Sequence, residues 1–485
     1  MFRGQKRKCK QFPEAERLLP ESKQVNYEDL TAKIGYGRFH YCLLALCGWA
    51  LSSDAIEILS ISFILPPATC ELSLSDSSKG WLNSAVFLGM MLGGYIWGTL
   101  ADMQGRRSVL MFSLSLNSLG GLMSTFAQSF WLFLLLRIVS GIGVGGSMPV
   151  IFSYFTEFQS KQRRGAMISF LATFWMCGNI IAAALAWIVI PRKFEVSSGG
   201  FQYNTWRLYL ALCIIPSFTS AVMFIFMPES PRYLIEKHRN AEALTVLQKI
   251  YKLNNKGREA EEFPCQFFSK TKLLMKPPLL TNMSIMIIIF FTLSFGYYGL
   301  FMWFPELFQR IEKYGGSACH PGSKLRVNST VDPCTVSSDL YFKGFLTAVS
   351  NLPGNIFTIL FIDRLGRTPL LASSMMLSGL SVFFIWFLKT EVHSLIMACV
   401  FSGISVVGFN ALDVLCAEIF PTHSRSTASG ILTGIGRIAA ILGNLAFGSL
   451  VTSHCAVPML LVAILLSGGG LISLKLPNTK NQDLL

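Results

Sequence analysis

Gly98-Thr-Leu-Ala-Asp102-Met-Gln-Gly105-Arg106-Arg107 follows directly on an apolar run from Trp81 to Leu100. A shortened echo, Asp363-Arg364-Leu-Gly366-Arg367, follows another apolar run much later in the chain. An apolar stretch that ends in a short glycine-containing basic segment predicts a tight turn between two membrane-spanning helices. Gly98 is expected to let helices approach closely, and Asp102 to pair with a nearby arginine or cap a helix. Gly105 permits the chain reversal, and Arg106 and Arg107 hold the turn on the cytosolic side.

The rest of the chain agrees with a membrane solvent. Of its 485 residues, 52% are hydrophobic and only 14% are charged, where a soluble chain carries about a quarter. Mean hydropathy is +0.49. Apolar runs of about 20 residues recur, each long enough to cross a bilayer. A formal net charge of +14 would suggest nucleic acid in a soluble protein. Here the basic residues sit mainly in the connections assigned to the cytosol, so anionic lipid and the positive-inside rule account for much of it, and no nucleic-acid partner is expected. No cleavable signal peptide is read, and the first span serves as an uncleaved anchor.

Twelve spans are predicted, roughly 40–65, 81–101, 108–127, 130–155, 167–190, 207–227, 280–304, 341–362, 369–388, 393–417, 427–451 and 456–475. The fold class is an all-α membrane protein. The expected organisation is a cytosolic tail (1–39), a six-helix bundle (40–227), a cytosolic linker with a surface helix (228–279), a second six-helix bundle (280–475) and a short tail (476–485). Asp102 to Asp363, Glu157 to Glu418 and Arg164 to Arg425 are each 261 positions apart. Separate motifs sharing one offset mark a duplication, and parallel duplicated halves put a binding site at the midplane between them.

Several residues lie where apolar side chains would be cheaper. Asp54 and Glu57 share one face of the first span at i and i+3. An ionised carboxylate at the bilayer centre costs about 2.5–3.5 kcal/mol on insertion scales, so each needs a wet cavity or a partner. They read as proton- or cation-coupling groups, or as a structural pair held by polar neighbours. Asn410 and Asp413 repeat the spacing in the tenth span. Arg437, deep in the eleventh, would neutralise Asp413 or receive an anionic substrate, the ion pair being the favoured reading. Trp175, Tyr297, Tyr298 and Phe409 are candidate cavity walls. Arg137 reads as a coupling or packing residue, against the plainer reading of an arginine snorkelling to the outer side. Glu157, Arg164, Glu418 and Arg425 are expected to form cytosolic charge networks that break and re-form between states.

The remaining signals concern processing. Asn328-Ser-Thr330 is a glycosylation sequon in a polar outer loop, about 305–340, that also carries Cys319 and Cys334, where a disulfide can persist. Glu14-Ala-Glu-Arg-Leu18-Leu19 has the form of an acidic dileucine signal read by sorting adaptors. No catalytic constellation, metal-ligand spacing or phosphate-binding loop is found. No enzyme activity, metal or cofactor is therefore expected, and energy would come from a gradient.

The turn at 98–107, Arg137-x-x-x-Gly141-x-Gly143-x-Gly145, Glu157 with Arg164-Gly165, and Pro228-Glu-Ser-Pro-Arg232 together resemble the major facilitator superfamily, in its sugar and organic-ion branch. Ser75-Asp-Ser-Ser-Lys-Gly80, Phe174-Trp-Met176, Gly296-Tyr-Tyr-Gly299 and Asn410-Ala-Leu-Asp413 resemble the synaptic vesicle glycoprotein 2 family. The connection at about 305–340 is too short for that family's long luminal domain, and Phe409 stands where the resemblance leads one to expect tryptophan. The resemblance implies a major facilitator fold of two pseudo-symmetric bundles and a secondary transporter of a small organic solute, in a vesicle or plasma membrane. The alternative it implies is a transporter-like vesicle protein that regulates trafficking.

Overall fold

The computed structural model describes residues 31–477 except 32–33, 161–163, 193, 199–200, 255–277, 315, 318–319, 322–336, 389, 421–424 and 452–455. The sequons, tails and cysteines named at Asn328, Cys319, Cys334, Glu14, Leu18 and Leu19 lie outside the described residues, as do the side chains of Arg164, Asp363 and Arg425.

In lipid each backbone polar group must be satisfied within its own segment, so the apolar runs become helices. The first half contains α1 (Arg38–Glu71), α2 (Asp76–Gln104), α3 (Arg106–Ser124), α4 (Phe130–Thr156), α5 (Arg164–Val189) and a sixth span broken into α6 (Thr205–Cys213) and α7 (Ile215–Phe224). The linker carries α8 (Pro231–Glu236) and α9 (Asn240–Asn254). The second half contains α10 (Pro278–Phe301) with α11 (Phe304–Tyr314), α12 (Ser338–Val349) with α13 (Asn351–Leu365), α14 (Arg367–Phe387), α15 (Glu391–Ile419), α16 (Arg425–Leu450) and α17 (Ala456–Ser473). Among the described residues, eleven helical segments are long and apolar enough to span. The twelfth, α3, is less apolar because Ser113, Asn117, Ser118 and Ser124 are buried against protein rather than lipid.

Two features depart from the sequence reading. The one surface helix expected in the 228–279 linker is, among the described residues, two helices, separated by His238 at φ 58°. The connection after α5 forms an antiparallel hairpin, β1 (Glu195–Ser198) with β2 (Phe201–Asn204).

The duplication is visible in the packing. α1 packs on α5 as α10 does on α16, and α3 packs on α4 as α14 does on α15. The halves meet where α2 lies against α16 and α5 against α12. Within the first half, α2 and α4 touch backbone to backbone. A Cβ on Gly93 would stand 2.1 Å from the Ile142 carbonyl oxygen, and one on Gly141 2.4 Å from that of Val86. Gly98 makes no such contact, since a Cβ there meets nothing within 4 Å. The close approach expected of Gly98 therefore belongs to residues a turn or more earlier in α2.

Gly93→Val is accordingly expected to lose about 1–3 kcal/mol or more through overpacking, whereas Gly98→Val should stay within about 0.5 kcal/mol. Thermal midpoints of the two purified variants in detergent check this. Equal midpoints would show that the α2–α4 contact is not tight.

Candidate functional site

The basic turn comes first in sequence but not in chemistry. Gly105 adopts φ 103° and Gly366, its counterpart 261 positions on, φ 89°. Both are left-handed, and each ends one helix and starts the next. Arg106 Nε lies 3.2 Å from Glu157 and its Nη2 3.2 Å from Asp102. Arg367 lies 3.0 Å from Glu418, the same pair in the second half. Arg107 donates to the Phe224 and Ile225 carbonyls, and its backbone N–H to Glu229. Arg364 is exposed. Burial pushes the Glu157 carboxyl upward, opposed by the Arg106 charge. These described pairs each stay within one half, so they brace a bundle end.

At the opposite end the halves are bound together. Lys79 at the start of α2 lies 2.7 Å from Glu306 of α11. Arg310 bridges back to Asp76 at 2.6 Å and to Glu306 at 3.2 Å. Gly80 and Gly448 bring α2 and α16 into backbone contact there, and Trp187 packs on Phe342 and Phe345. Sequence reading picked out Ser75–Gly80 only as a resemblance. Its ionic partners lie more than 200 residues away, beyond any local signal.

The carboxylates of α1 lie between these two ends. Asp54 is fully buried, with both oxygens 2.8 Å from the Ser147 hydroxyl of α4. Glu57 is 3% exposed. It accepts from the Ser140 hydroxyl and pairs with Arg137 at 2.8 Å. Arg137 also donates to the Glu57 carbonyl and the Ser60 hydroxyl, and is 1% exposed. It is therefore an interior partner of α1, not an arginine reaching for the outer surface. The two carboxylates thus differ, because Glu57 is neutralised by a cation in contact and Asp54 is held by a hydroxyl alone.

Beside them, Trp175 and Asn179 from α5 face Tyr297, Tyr298 and Phe301 from α10 across a cleft, closed to about 10 Å³ in this state, that also takes Ile58 and Leu59 of α1. Phe409 packs on both tyrosines, at 5.3 Å and 6.0 Å between ring centroids. Asn410 donates to Asn355, which donates to Thr173 of the other half. Tyr297 faces Asn351, yet neither the hydroxyl nor the amide finds a close hydrogen bond. A larger cavity, about 390 Å³ and lined by Ile188, Val189, Arg192, Phe194, Thr205 and Leu208, lies beside the β1–β2 hairpin. It holds none of the buried carboxylates and does not join the halves.

The expected Arg437–Asp413 pair is not formed. Arg437 lies twelve residues into α16, about 18 Å by helical rise. Its guanidinium sits over Phe87 and Tyr298, at 5.9 Å and 5.8 Å from the ring centroids, with Nη2 3.0 Å from the Met148 sulfur. Asp413 lies near the basic end of α15 and is exposed, although protein surrounds it densely. Helix rotation and depth together separate the two charges.

The chain was compared with known proteins. A family model described as "Sugar (and other) transporter" matches residues 52–312, and one described as "Major Facilitator Superfamily" matches 338–483. Synaptic vesicle glycoprotein 2C of Rattus norvegicus is 32% identical, covering 100% of this chain and 85% of the relative. Synaptic vesicle glycoprotein 2B of Mus musculus is 32% identical, with 97% and 88% covered. The first alignment runs over 616 positions, longer than this chain, so that relative carries segments absent here. Among solved structures, the inward-open conformation of the xylose transporter XylE from E. coli superposes with a TM-score of 0.70 at 17% identity, over 92% of this chain and 98% of that one. A partially occluded inward-open conformation of XylE gives 0.70 at 16%, over 90% and 98%. The chain belongs to the sugar (and other) transporter family of the major facilitator superfamily, with the synaptic vesicle glycoprotein 2 proteins among its relatives.

Proposed function

We propose that this multi-pass membrane transporter carries a small organic solute by alternating access, with the solute bound in the cleft between α1, α5, α10 and α15 and with Asp54 as the proton- or cation-coupling group. One observation carries the reading: a fully buried carboxylate is partnered only by the hydroxyl of Ser147, next in the chain to the Met148 that Arg437 of the other half touches. A carboxylate so enclosed meets water only when the halves rearrange, so a proton or cation held there exchanges as access alternates. Glu57 differs because Arg137 balances its charge; Arg437 acts on Asp54 only through space. The Tyr297 hydroxyl, which faces the Asn351 amide, gives the cleft wall a polar group that supports solute binding there.

The ion pairs that bind the halves at the end opposite the basic turns support an inward-facing state, as in the XylE conformations it resembles. The division into moving halves 40–227 and 280–475, joined by a linker at 228–279, belongs to the same proposal. So does a non-enzymatic role, which the family supports. The relatives' name supports a secretory or synaptic vesicle membrane. The dileucine-form element at Glu14, Leu18 and Leu19 supports recruitment of sorting adaptors.

The test is uptake by purified protein in proteoliposomes, with sugars, organic anions and organic cations, with and without a pH gradient. Asp54→Asn should abolish gradient-driven accumulation while expression and thermal midpoint hold. Wild-type accumulation by that variant would sink the coupling assignment. If instead no solute moves and removal of the N-terminal tail alone disturbs vesicle traffic, the protein is a transporter-like regulator.

A further inference from the structure

Cys70, next to the last residue of α1, is exposed and disulfide-bonded. Six of the chain's twelve cysteines are free thiols. The partner is therefore one of the remaining five, Cys9, Cys265, Cys319, Cys334 and Cys455, all outside the described residues. Reach and sidedness divide these five.

The start of α1 lies at the end of the molecule that carries the basic turns. His40 contacts the Phe158 carbonyl at 3.2 Å, and the neighbouring Glu157 holds Arg106. Asn254, at the end of α9, accepts from the Phe39 N–H and donates to the Gly35 carbonyl. Cys265 follows Asn254 by eleven residues, at most about 40 Å of extended chain. From Phe39 to Cys70, α1 rises about 46 Å. Only a straight strand laid through lipid or packed helices would span that, and unpaired backbone does not lie there. The tail bearing Cys9 enters at the same end, where Ile34 packs with Phe39, Leu247 and Ile250, and meets the same barrier.

The other three cysteines flank helices that reach the opposite end. Cys319 lies five residues past α11, whose Glu306 meets Lys79. Cys334 lies four residues before α12, whose Phe342 and Phe345 meet Trp187. Cys455 directly precedes α17, just beyond the Gly448 that meets Gly80. All three belong to the second half. The contacts of α1 favour the first two. It packs on α11, and two turns before Cys70 its Phe63 lies against Tyr341 of α12, at 6.3 Å between ring centroids.

We infer that the Cys70 disulfide joins the first half to a cysteine of the second, at the end where alternating access would part them. If Cys319 or Cys334 is that partner, the pairing of these two with each other does not form. On the first half the anchor is firm. Glu71, beside Cys70, accepts from Arg207, Trp206 and Asn204, and Arg207 donates to the Thr125 carbonyl. On the second half at most five residues, about 18 Å of chain, separate the sulfur from a helix. The bond therefore limits how far this end opens without welding it shut. That consequence rests on the carrier reading, whereas the bond itself does not. An oxidising compartment preserves it. A dithiol undoes it by exchange: the S–S bond breaks, each cysteine takes up one electron and one proton, and the dithiol closes to its own disulfide.

The test uses purified full-length protein with a protease site inserted after residue 270, so that Cys9 and Cys265 stay with the first half. After cleavage, a non-reducing gel should show the two fragments joined in one band. Dithiothreitol, or Cys70→Ser without it, should release them as two. Alkylation without reductant, digestion and mass spectrometry should join the Cys70 peptide to one carrying Cys319, Cys334 or Cys455. Two bands without reductant, an alkylated Cys70, or a Cys70 peptide joined to Cys9 or Cys265 overturns the proposal. Reduction should lower the thermal midpoint of the uncut wild type by about 5 °C or more and leave that of Cys70→Ser unchanged. In proteoliposomes the dithiol should likewise alter wild-type uptake and not that of Cys70→Ser. A mapped cross-half bond with uptake indifferent to dithiol leaves the bond standing and sinks its bearing on the carrier. Absence of any uptake, with the bond mapped, sinks the carrier alone.

Discussion

Arg137→Leu is expected to destabilise the protein by about 3–5 kcal/mol, the usual loss when one member of a buried ion pair is removed. Arg137 and Glu57 are 1% and 3% exposed and lie 2.8 Å apart. Their attraction does little more than offset the desolvation of two charges. The cost of the single substitution comes from what stays behind, because Glu57 would keep only the Ser140 hydroxyl. The α1 backbone at Glu57 and the Ser60 hydroxyl would also lose a donor. Replacing both members should therefore be much milder than replacing one. Arg137→Leu with Glu57→Gln is expected to recover most of the loss, with a coupling between the sites of about 1–3 kcal/mol. Thermal midpoints of the wild type, the two single variants and the double variant in one detergent close this cycle. A double variant no better than Arg137→Leu would show that the arginine acts through packing. Uptake need not follow stability, since the double variant keeps Asp54 and Ser147 in place.

The architecture is legible because the membrane imposes few solutions. Apolar runs, basic turns and one repeated offset of 261 residues carry the twelve spans and the two halves. The offset also runs through pairs that the sequence could not join. Arg106–Glu157 and Arg367–Glu418 are the same contact made twice. Asp54 and Glu57 stood out because carboxylates in an apolar run are costly wherever they point. Arg137 stood out as well, but its pairing with Glu57 did not, nor did Ser147, since both belong to another helix and only helix rotation decides which side chains meet.

The misreadings have the same source. Arg437 and Asp413 are opposite charges on adjacent spans, and pairing them is the cheapest arrangement a linear chain suggests. The structure instead turns Arg437 towards Phe87 and Met148 of the other half. Gly98 sits in the signature turn and so attracted the close-packing role that Gly93 fills. The ionic bridge at the end opposite the basic turns was invisible for a further reason. Asp76, Lys79, Glu306 and Arg310 sit at span ends, where charges are common and carry no signal until the halves are brought together.

That bridge sets the second large effect. Lys79→Ala is expected to shift the protein away from the state described here by a factor of roughly 10–100, corresponding to about 1.4–3 kcal/mol. Lys79 and Glu306 side chains are 7% and 4% exposed at 2.7 Å, so the bridge is largely dry. Removing Lys79 leaves Glu306 with Arg310 alone, and Arg310 is shared with Asp76. The penalty falls on one conformation. When the halves part at this end, water solvates all four groups and the loss of Lys79 costs little. A substitution that weakens only one of two states moves the population between them. Spin labels at Ser129→Cys on the first half and Val392→Cys on the second report the separation by pulsed dipolar spectroscopy. Both positions are exposed at that end. The wild type should give a short distance, and Lys79→Ala should add a longer component. Exchanging the charges, Lys79→Glu with Glu306→Lys, tests whether attraction rather than bulk holds the ends together. Arg310 and Asp76 keep their signs in that exchange, so the new Glu306→Lys side chain faces Arg310, and recovery of the short distance should be partial. An unchanged distance in Lys79→Ala would mean that the Gly80–Gly448 backbone contact and the aromatic packing of Trp187 hold this end shut without the ionic bridge.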